Sequence, residues 1–373
     1  MFLTRKNIRK NTHMLIYALM FSLIYITYSH GSALEFSLHE IHKNKKEIKY
    51  VFCIDGGGSK TELQVLDTHG NIVQLSKDGL VSDTIKAGCS NFVTVGENGV
   101  KNTIQELFKN VQILSEHSQI TCELSSIAHR SIIVGGFAGG DQPESQAALK
   151  LIFKSYGFNN DNLFIMTDAD LVLEGAPSPG IILISGTGSI CLGKHNNTIF
   201  RVGGLGRYIG DEGSGYKIGI SALKAGLEDA YGWGENTSLT QELKSHFNQN
   251  DIKNLIIPFY KGLITPDQIA ALAPMVFNHA HNGDMLALRI CDQAAQDLGF
   301  MLKKMVKISN IHTCPIYLVG GVFKNISMDI FIPQILAHAG LTGWHVTNLA
   351  TEHIATIVIQ EKLRKREGLL GVI

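Results

Sequence analysis

The sequence predicts an α/β protein made of two related halves that face one another across a cleft. Short apolar runs typical of strands alternate with amphipathic helical patterns along most of the chain. A strand–glycine turn–strand unit occurs twice, in "YVFCIDGGGSKTELQVLD" at residues 50–67 and in "GIILISGTGSICLGK" at residues 180–194. The length of 373 residues is enough for two domains of ordinary size.

The chain is predicted to divide into an N-terminal extension with a linker (1–45), a first domain (46–165) and a second domain (166–373). Within the extension, "MLIYALMFSLIYITY" at residues 14–28 carries no charge, follows a basic stretch and precedes small residues. This order is typical of a secretory signal peptide. The run is short for a membrane-spanning helix, which needs about 20 residues. A membrane anchor, an exported protein and an upstream extension absent from the working protein are the open alternatives.

The first glycine turn resembles a P-loop but departs from it. A P-loop places Gly directly before Lys-Ser/Thr and opens a helix. Here Ser59 precedes Lys60, and the alternation in "ELQVLD" at residues 62–67 predicts a strand. A tight hairpin turn can still bind phosphate, because its exposed backbone N–H groups form a concave anion site.

Further patterns predict the other elements in order. "SIIVGGF" (131–137), "NLFIMTD" (162–168) and "PIYLV" (315–319) are typical of strands. "PESQAALKLIFKSYG" predicts a helix with Pro143 in its first turn and Gly157 at its end. Two longer amphipathic patterns, at residues 214–232 and 286–308, predict helices that cover a sheet.

Four aspartates lie at predicted strand ends or in glycine-rich turns: Asp55, Asp141, Asp168 and Asp211. Each alone could cap a helix or hold a turn. Together with two glycine turns suited to phosphate, they indicate phosphoryl transfer. That reaction needs phosphate-binding loops, Mg²⁺ and a carboxylate that deprotonates the attacking hydroxyl. Asp55 is the candidate for Mg²⁺, Asp141 for the base, and Asp211 with Asn91 for a polyhydroxyl substrate; Asp168 has no assigned role.

Composition narrows the function classes. The counts of Lys+Arg and of Asp+Glu are equal, at 33 each, so no excess of positive charge indicates nucleic-acid binding. The six cysteines are scattered and form no C-x-x-C pair. Buried thiols in a reducing compartment are therefore favoured over a metal site or a disulfide framework.

The motifs "DGGGSKT", "GGDQ", "TDAD", "ISGTGSIC", "GGLGRYIGDEGSGYKIG" and "LVGGVFKN" occur in an order that resembles a known family. The sequence is similar to the N-acetylglucosamine kinase branch of the BadF/BadG/BcrA/BcrD-type ATPases, within the sugar kinase/actin/Hsp70 superfamily. The resemblance covers roughly residues 48–360. It implies a two-domain actin-like ATPase (ribonuclease H-like) fold, with ATP and sugar bound in the interdomain cleft.

The resemblance also implies residue roles. Asp141, in the Gly-Gly-Asp-Gln motif, matches the catalytic base. Leu205 stands where many members have tryptophan, which removes an aromatic surface near the sugar and leaves the identity of the sugar open. The positions that match the nucleotide site are Gly57, Gly58, Ser59, Lys60, Gly186, Thr187, Gly188, Gly320 and Gly321. Those that match the sugar site are Asn91, Asp141, Gly204, Leu205 and Asp211.

The expected activity is ATP- and Mg²⁺-dependent phosphorylation of an amino sugar at C6, most simply N-acetylglucosamine to N-acetylglucosamine 6-phosphate. Glucosamine and N-acetylmuramic acid are alternative substrates. An ATPase activator of the BadF type is another function, but it needs an iron–sulfur cluster between subunits, and the scattered cysteines do not predict one. A non-catalytic nucleotide- or sugar-binding regulator is a third. Because ATP is abundant in the cytoplasm and scarce outside it, we expect a cytoplasmic catalytic domain, with a homodimer as the default assembly.

Overall fold

The computed structural model describes residues 48–58, 60–115, 118–176, 179–196, 198–324, 328–349, 355–360 and 363. The predictions for residues 1–45, including the apolar run at 14–28, and for Ser59 lie outside the described residues. Within the described ranges, no helix has the length and apolar character needed to cross a membrane.

The strands, in chain order, are β1 (Tyr50–Gly56), β2 (Thr61–Asp67), β3 (Leu75–Lys77), β4 (Leu80–Ser82), β5 (Ile85–Ala87), β6 (Val111–Ser115), β7 (Ser118–Glu123), β8 (Ser131–Phe137), β9 (Leu163–Met166), β10 (Gly180–Ser185), β11 (Ser189–His195), β12 (Thr198–Gly203), β13 (Ile316–Val319) and β14 (Val346–Asn348).

The helices are α1 (Phe92–Phe108), α2 (Leu124–Ile127), α3 (Pro143–Ser155), α4 (Asp168–Glu174), α5 (Gly215–Tyr231), α6 (Leu239–His246), α7 (Ile256–Tyr260), α8 (Pro266–Ala270), α9 (Ala273–His281), α10 (Met285–Ser309), α11 (Gly321–Lys324) and α12 (Met328–Ala339). Short 3-10 turns lie at Ala128–Arg130, Asn160–Asn162 and Ile252–Leu255. Residues 355–360 form a further helix, called the C-terminal helix below.

Two five-stranded sheets share one topology. The first has the order β5-β2-β1-β8-β9 and the second the order β12-β11-β10-β13-β14. In both, the first strand of the half pairs antiparallel with the next strand through a glycine turn and parallel with a later strand. The prediction of two related halves is therefore confirmed at the level of strand order, while the boundaries 46–165 and 166–373 stay predictions.

The apolar run of β1 is explained by burial on both faces of the first sheet. Phe52 and Ile54 belong to a core closed by α1 and α3. Val51 and Cys53, which alternate with them, belong to a second core shared with the other sheet. A strand buried on both faces is expected to be apolar throughout rather than alternating.

The shared core between the two sheets contains α4 and the C-terminal helix. Leu171 and Leu173 of α4 are fully buried there, together with Ile359 of the C-terminal helix and Ile182 of β10. This packing brings the start of α4, at Asp168, to the place where the two halves meet.

The predicted strands and helices named above are all confirmed, with boundaries shifted by a few residues. Several parts of the fold were not predicted, and two of them belong to the first half. One is a small four-stranded sheet in the first half, of order β4-β3-β6-β7. The other is α1, whose apolar pattern is broken at Gly96, where the backbone has φ +65° and kinks the helix.

Candidate active site

The first glycine turn spans residues 57–60, because Gly56 pairs with Thr61 in the hairpin register. The N–H of Gly57 donates to the carbonyl of Lys60 at 2.9 Å and closes the turn. A Cβ on Gly56 would lie 2.5 Å from both the Phe137 ring and the Ser90 hydroxyl, so this glycine serves packing. Gly58 is exposed and its backbone is accessible, which suits an anion-binding role.

Lys60 is held beside β2 by an ion pair. Its ammonium lies 2.8 Å from Glu62 Oε1, and Lys86 lies 3.1 Å from the same oxygen. The Glu62 side chain is only 7% exposed. Burial alone would raise the pKa of Glu62, but hydrogen bonds and charge from Lys60 and Lys86 outweigh it and lower the pKa. The carboxylate therefore stays ionised and anchors Lys60 next to the turn.

The second glycine turn, between β10 and β11, is held in place by hydrogen bonds between its flanking residues and the residues that follow Asp211. Ser185 donates to the Gly213 carbonyl at 2.9 Å, and Ser189 donates to the Glu212 carbonyl at 2.7 Å. The N–H of Gly215 donates to the Gly186 carbonyl at 2.8 Å. The motifs "ISGTGS" and "GDEGSG" thus form one unit, with the start of α5 placed against the turn.

Thr187 lies at the exposed tip of this second turn. Its hydroxyl donates to Asp267 Oδ1 on α8 at 2.6 Å. Asp267 was not among the predicted site residues. Nothing in its local sequence marks it, because its partner lies 80 positions away.

Gly320, from the third glycine motif, lies against the same turn. Its φ is +113°, and a Cβ there would be 2.2 Å from the Ser185 carbonyl oxygen. At Gly321, in contrast, no described atom would lie within 4 Å of a Cβ. The backbone therefore approaches too closely at Gly320 to leave room for a side chain, whereas Gly321 lies next to open space.

Asp211 connects the second turn to the loop at residues 204–210. It has a left-handed backbone, with φ +60°. Its Oδ1 accepts from the Gly206 N–H at 3.3 Å, and a Cβ on Gly188 would lie 2.8 Å from its Oδ2. Burial raises the pKa of Asp211, while the backbone N–H groups of Ser189 and Gly206 act in the opposite direction. The predicted sugar residue thus also holds a turn.

Asn91 lies between the first glycine turn and the loop that carries Asp141. It is the N-cap of α1, and its Oδ1 accepts from the Val93 N–H at 2.9 Å. A Cβ on Gly58 would lie 3.9 Å from Asn91 Nδ2, and one on Gly139 would lie 2.9 Å from Asn91 Oδ1. Its side chain therefore lies between the two predicted functional loops of the first half.

Asp141 does not cap the helix that follows it. The N-cap of α3 is Gln142, whose side chain makes no capping hydrogen bond to any described residue. Instead, Asp141 Oδ2 lies 3.5 Å from Nη1 of Arg201 on β12, in the other half. Arg201 also donates from Nη2 to the Gly204 carbonyl at 2.6 Å. The two predicted sugar-site residues Asp141 and Gly204 are therefore joined by an arginine that the sequence analysis did not select.

Asp168 opens α4, whose N-cap is Thr167. Its Oδ1 accepts from the Ala169 N–H at 2.9 Å. Burial raises the pKa of Asp168 to about 6, and the neighbouring charge of Asp170 adds to the rise. The Ala169 N–H and the charge of Arg201 act in the opposite direction. Asp168 is therefore a carboxyl group that titrates near neutral pH at the junction of the two halves.

Asp55, the predicted Mg²⁺ residue, ends β1 directly before the first turn. Its Oδ1 accepts from the Ala355 N–H at the start of the C-terminal helix, at 3.2 Å. Among the described residues, no three His, Cys, Asp or Glu side chains are grouped as a metal site. Mg²⁺ usually keeps several waters and uses one or two carboxylates, so a single aspartate beside a phosphate-binding turn fits this ion.

Leu205 belongs to an exposed apolar loop. Its side chain is 61% exposed, and Tyr208 and Ile209 in the same loop are exposed further. The loop leaves β12 through Gly204, which has φ +68°. The Arg207 guanidinium lies 4.7 Å from the centre of the Tyr208 ring in this loop. The loop directly precedes Asp211 and is suited to contact a bound molecule or the opposite wall of the cleft.

The cysteines form no cluster. All six fall within the described residues and are free thiols. Four of them, Cys53, Cys191, Cys291 and Cys314, are buried. Burial raises the pKa of Cys291 to about 12.

The sequence profile of the BadF/BadG/BcrA/BcrD ATPase family matches residues 53–352, which include both glycine turns and every predicted site residue. The chain belongs to the BadF/BadG/BcrA/BcrD ATPase family. The family resemblance noted from the motifs is thereby confirmed, and with it the use of ATP.

Two relatives of this BadF/BadG/BcrA/BcrD family member are amino sugar kinases by name. It is 33% identical over 285 residues to an N-acetylmuramic acid/N-acetylglucosamine kinase of Clostridium acetobutylicum, covering 75% of this chain and 87% of the relative. It is 29% identical over 293 residues to an N-acetyl-D-glucosamine kinase of Dictyostelium discoideum, covering 76% of this chain and 89% of the relative.

A solved structure supports the fold of this BadF/BadG/BcrA/BcrD family member. The crystal structure of a protein proposed to be an N-acetylglucosamine kinase, from Chromobacterium violaceum, matches with a TM-score of 0.62 at 21% identity. The match covers 84% of this chain and 99% of that chain. Together with the two matching sheets, it confirms the predicted two-domain actin-like architecture.

Proposed function

We propose that this protein is an ATP-dependent kinase that phosphorylates an amino sugar, with N-acetylglucosamine as the first candidate and its 6-phosphate as the product. One observation carries the proposal: a series of neighbouring residues runs from the first glycine turn to the second through the predicted sugar residues. Asn91 lies between the positions of Gly58 and Gly139, and Asp141, two residues after Gly139, pairs with Arg201. The series then continues from Arg201 to Gly204, whose N–H donates to the Ser189 carbonyl at 2.9 Å.

In this arrangement, the two turns that we propose to bind phosphate lie at the two ends of the series, and the Asp141 carboxylate lies between them. Asp141 would accept the proton of the sugar C6 hydroxyl as its oxygen attacks the γ-phosphorus of ATP. The bond from that phosphorus to the bridging oxygen of the β-phosphate breaks, and ADP leaves. Asn91 and Asp211 would orient the sugar hydroxyl groups, because their side chains flank the two turns.

The nucleotide would be held by backbone groups. The turn at residues 57–60 and the turn at Gly186–Gly188 present N–H groups to the phosphates, and Gly320 and Gly321 would lie along the adenosine. Asp55 would hold Mg²⁺ through its carboxylate or through water. The ion neutralises charge on the transferred phosphoryl group.

N-acetylmuramic acid is a second candidate substrate, favoured by Leu205. An exposed leucine beside the sugar residues, where many family members have tryptophan, leaves more room for the lactyl ether on C3 of that sugar. The relative at 33% identity carries both sugars in its name. Phosphorylation of either sugar requires ATP, so we place the catalytic part of the chain in the cytoplasm.

The test measures ADP release by the full chain with Mg²⁺ and ATP, across N-acetylglucosamine, glucosamine, N-acetylmuramic acid and N-acetylmannosamine. We expect ADP release that depends on one or more of these sugars and falls at least a hundredfold in Asp141→Asn. Asp161→Asn is the matched control, because Asp161 is exposed and precedes β9 at the end opposite to Asp168. ADP release that ignores both the sugar and the Asp141 substitution would reject the kinase and favour a sugar-independent ATPase.

A further inference from the structure

Arg201 belongs to the second half, and its side chain forms an ion pair with Asp141 of the first half. It lies on β12, two residues before the turn at Gly203 and Gly204, and its side chain is 28% exposed. Nε donates to the Gly203 carbonyl at 3.3 Å and Nη2 to the Gly204 carbonyl at 2.6 Å. These two bonds fix the plane of the guanidinium. The remaining nitrogen, Nη1, lies 3.5 Å from Asp141 Oδ2.

The pair with Asp141 is poorly explained by stability. A separation of 3.5 Å is long for a charge-assisted hydrogen bond, and partly exposed ion pairs contribute little to folding free energy. A guanidinium fixed by two carbonyls and aimed at one carboxylate is instead typical of a positioning role, because its rigid fork defines a direction.

The same cation also acts on Asp168. Its charge opposes the rise in the pKa of Asp168 that burial and Asp170 cause. Asp141 comes from the loop after β8 and Asp168 from the start of α4, so Arg201 pairs with one carboxylate and its charge acts on another from a different element. The charge of Asp170, also on α4, acts on Asp168 in the direction opposite to that of Arg201.

We propose that Arg201 is a positioning residue of the phosphoryl transfer: it holds the Asp141 carboxylate from the opposite wall of the cleft and ties it to the turn at Gly203 and Gly204. This inference rests on the proposed function, in which Asp141 accepts the proton of the sugar hydroxyl. The position of the proton acceptor would then depend on how the two halves are placed relative to one another. Asp141 would be aligned only when the turn beside the sugar is in place.

Two substitutions separate charge from geometry. In Arg201→Ala, we expect kcat to fall about a hundredfold while the KM for ATP changes less than threefold, because the nucleotide turns are untouched. The acid limb of the pH dependence of kcat/KM should move to higher pH, because the charge of Arg201 opposes the rise in the pKa of Asp168 and its loss removes that opposition. In Arg201→Lys, the acid limb should stay near its original pH and kcat should recover in part. Lysine keeps the charge but lacks the planar fork that lets arginine donate to two carbonyls and pair with a carboxylate at the same time.

A double-mutant cycle tests whether Arg201 works through Asp141. If it does, adding Arg201→Ala to Asp141→Asn should lower kcat by less than threefold, far below its effect in the wild type. Arg289→Ala is the matched control. Arg289 is an exposed arginine of α10, paired with Glu235 on the surface, and its loss should leave kcat and the pH profile unchanged.

The outcomes are distinct. An Arg201→Ala enzyme with wild-type kcat and an unmoved acid limb would overturn the inference while leaving the kinase intact. A loss of kcat with a lower Tm, an unmoved pH profile and no recovery in Arg201→Lys would also overturn it, because Arg201 would then only stabilise the fold. A wild-type enzyme without sugar-dependent ADP release would reject the proposed function and this inference together.

Discussion

A methyl group on Gly320 would lie 2.2 Å from the carbonyl oxygen of Ser185. This contact connects two motifs that are 135 positions apart and belong to neighbouring parallel strands, β13 and β10. The end of one strand is therefore packed directly onto the start of the second glycine turn, and the turn has no room to shift in that direction.

Gly320→Ala should both destabilise the fold and weaken nucleotide binding. The left-handed φ of +113° and the backbone clash together are expected to cost about 2–4 kcal/mol. Gly88→Ala is the matched control, because Gly88 is not among the predicted nucleotide residues, its φ is not in the left-handed region, and a Cβ there would lie 4.0 Å from its nearest described neighbour, Thr103 Oγ1. Thermal unfolding with and without ATP measures both effects. Equal Tm values for the two variants would contradict the prediction.

Thr187→Val should raise the KM for ATP about tenfold with little change in Tm. When ATP binds, the exposed hydroxyl would exchange its hydrogen bond to Asp267 for a hydrogen bond to phosphate. Loss of a hydrogen bond to a charged group costs about 1.5–3 kcal/mol. Thr187→Ser keeps the hydroxyl and should stay within twofold of the wild type. Initial-rate kinetics decide, and a serine variant as impaired as the valine variant would point to the methyl group instead.

Asp168→Asn should stabilise the protein more at pH 8 than at pH 5. Because the pKa of Asp168 is raised from 3.8 to about 6, its contribution to stability is complete below pH 4 and is lost as the pH rises through 6. Asparagine does not ionise, so the variant does not lose this stability. The Tm of the variant minus that of the wild type should therefore increase from pH 5 to pH 8. A Tm difference that is flat with pH would show that Asp168 is not the titrating group. Asp161→Asn controls for the loss of one surface charge.

Asp284→Ala should destabilise the fold without affecting catalysis. Asp284 caps α10 by accepting from the N–H groups of Leu286 and Ala287, each at 3.0 Å. Burial would raise its pKa, but these bonds and those from Thr237 and Ser238 lower the pKa to about 2. Its stabilising effect is present above pH 4 and is lost as the pH falls through 2.

The expected loss at pH 7 is about 1–2 kcal/mol, in the range of an N-cap. It should shrink toward pH 3. Asp292→Ala, an exposed carboxylate of the same helix, is the comparison. Denaturant unfolding at both pH values measures the difference, and a lower kcat in Asp284→Ala would argue against its purely structural role.

Leu205→Trp should shift sugar preference away from N-acetylmuramic acid. The larger ring would occupy the space beside the sugar site, so the ratio of kcat/KM for N-acetylmuramic acid to that for N-acetylglucosamine should fall at least tenfold. Leu263→Trp is the control, because Leu263 is similarly exposed outside the 204–210 loop. An unchanged ratio would mean that this loop does not select the sugar.

The parts of the fold that sequence predicted are those specified by local pattern. Both hairpins were predictable, because an apolar run, a glycine turn and a second run are contiguous. The direction of the chain after Lys60 was also predictable, since alternation distinguishes a strand from the helix of a P-loop. The kinked α1 was not, because Gly96 interrupts its period.

Within the site, the missing residues are those whose partners are distant in sequence. Arg201 contacts Asp141 across 60 positions, and Asp267 contacts Thr187 across 80. A local signal for Arg201 did exist, since a cation interrupts the apolar pattern of "TIFRVGG" two residues before the glycine pair. The raised pKa of Asp168, a residue exposed to solvent, comes from desolvation of its carboxyl group by the surrounding chain, which no local pattern encodes.

The C-terminal helix packs on the first half although it follows the last strand of the second. Gln360 donates to the Gly70 carbonyl at 2.9 Å, and the Ala355 N–H donates to Asp55 at 3.2 Å. Domains commonly fold in order as they leave the ribosome. Here α4 covers the inner face of the first sheet in part, and the cover is completed only by the C-terminal helix. Native burial of that face, including the strand that carries Asp55, is therefore complete only after the strands of the second half have been made.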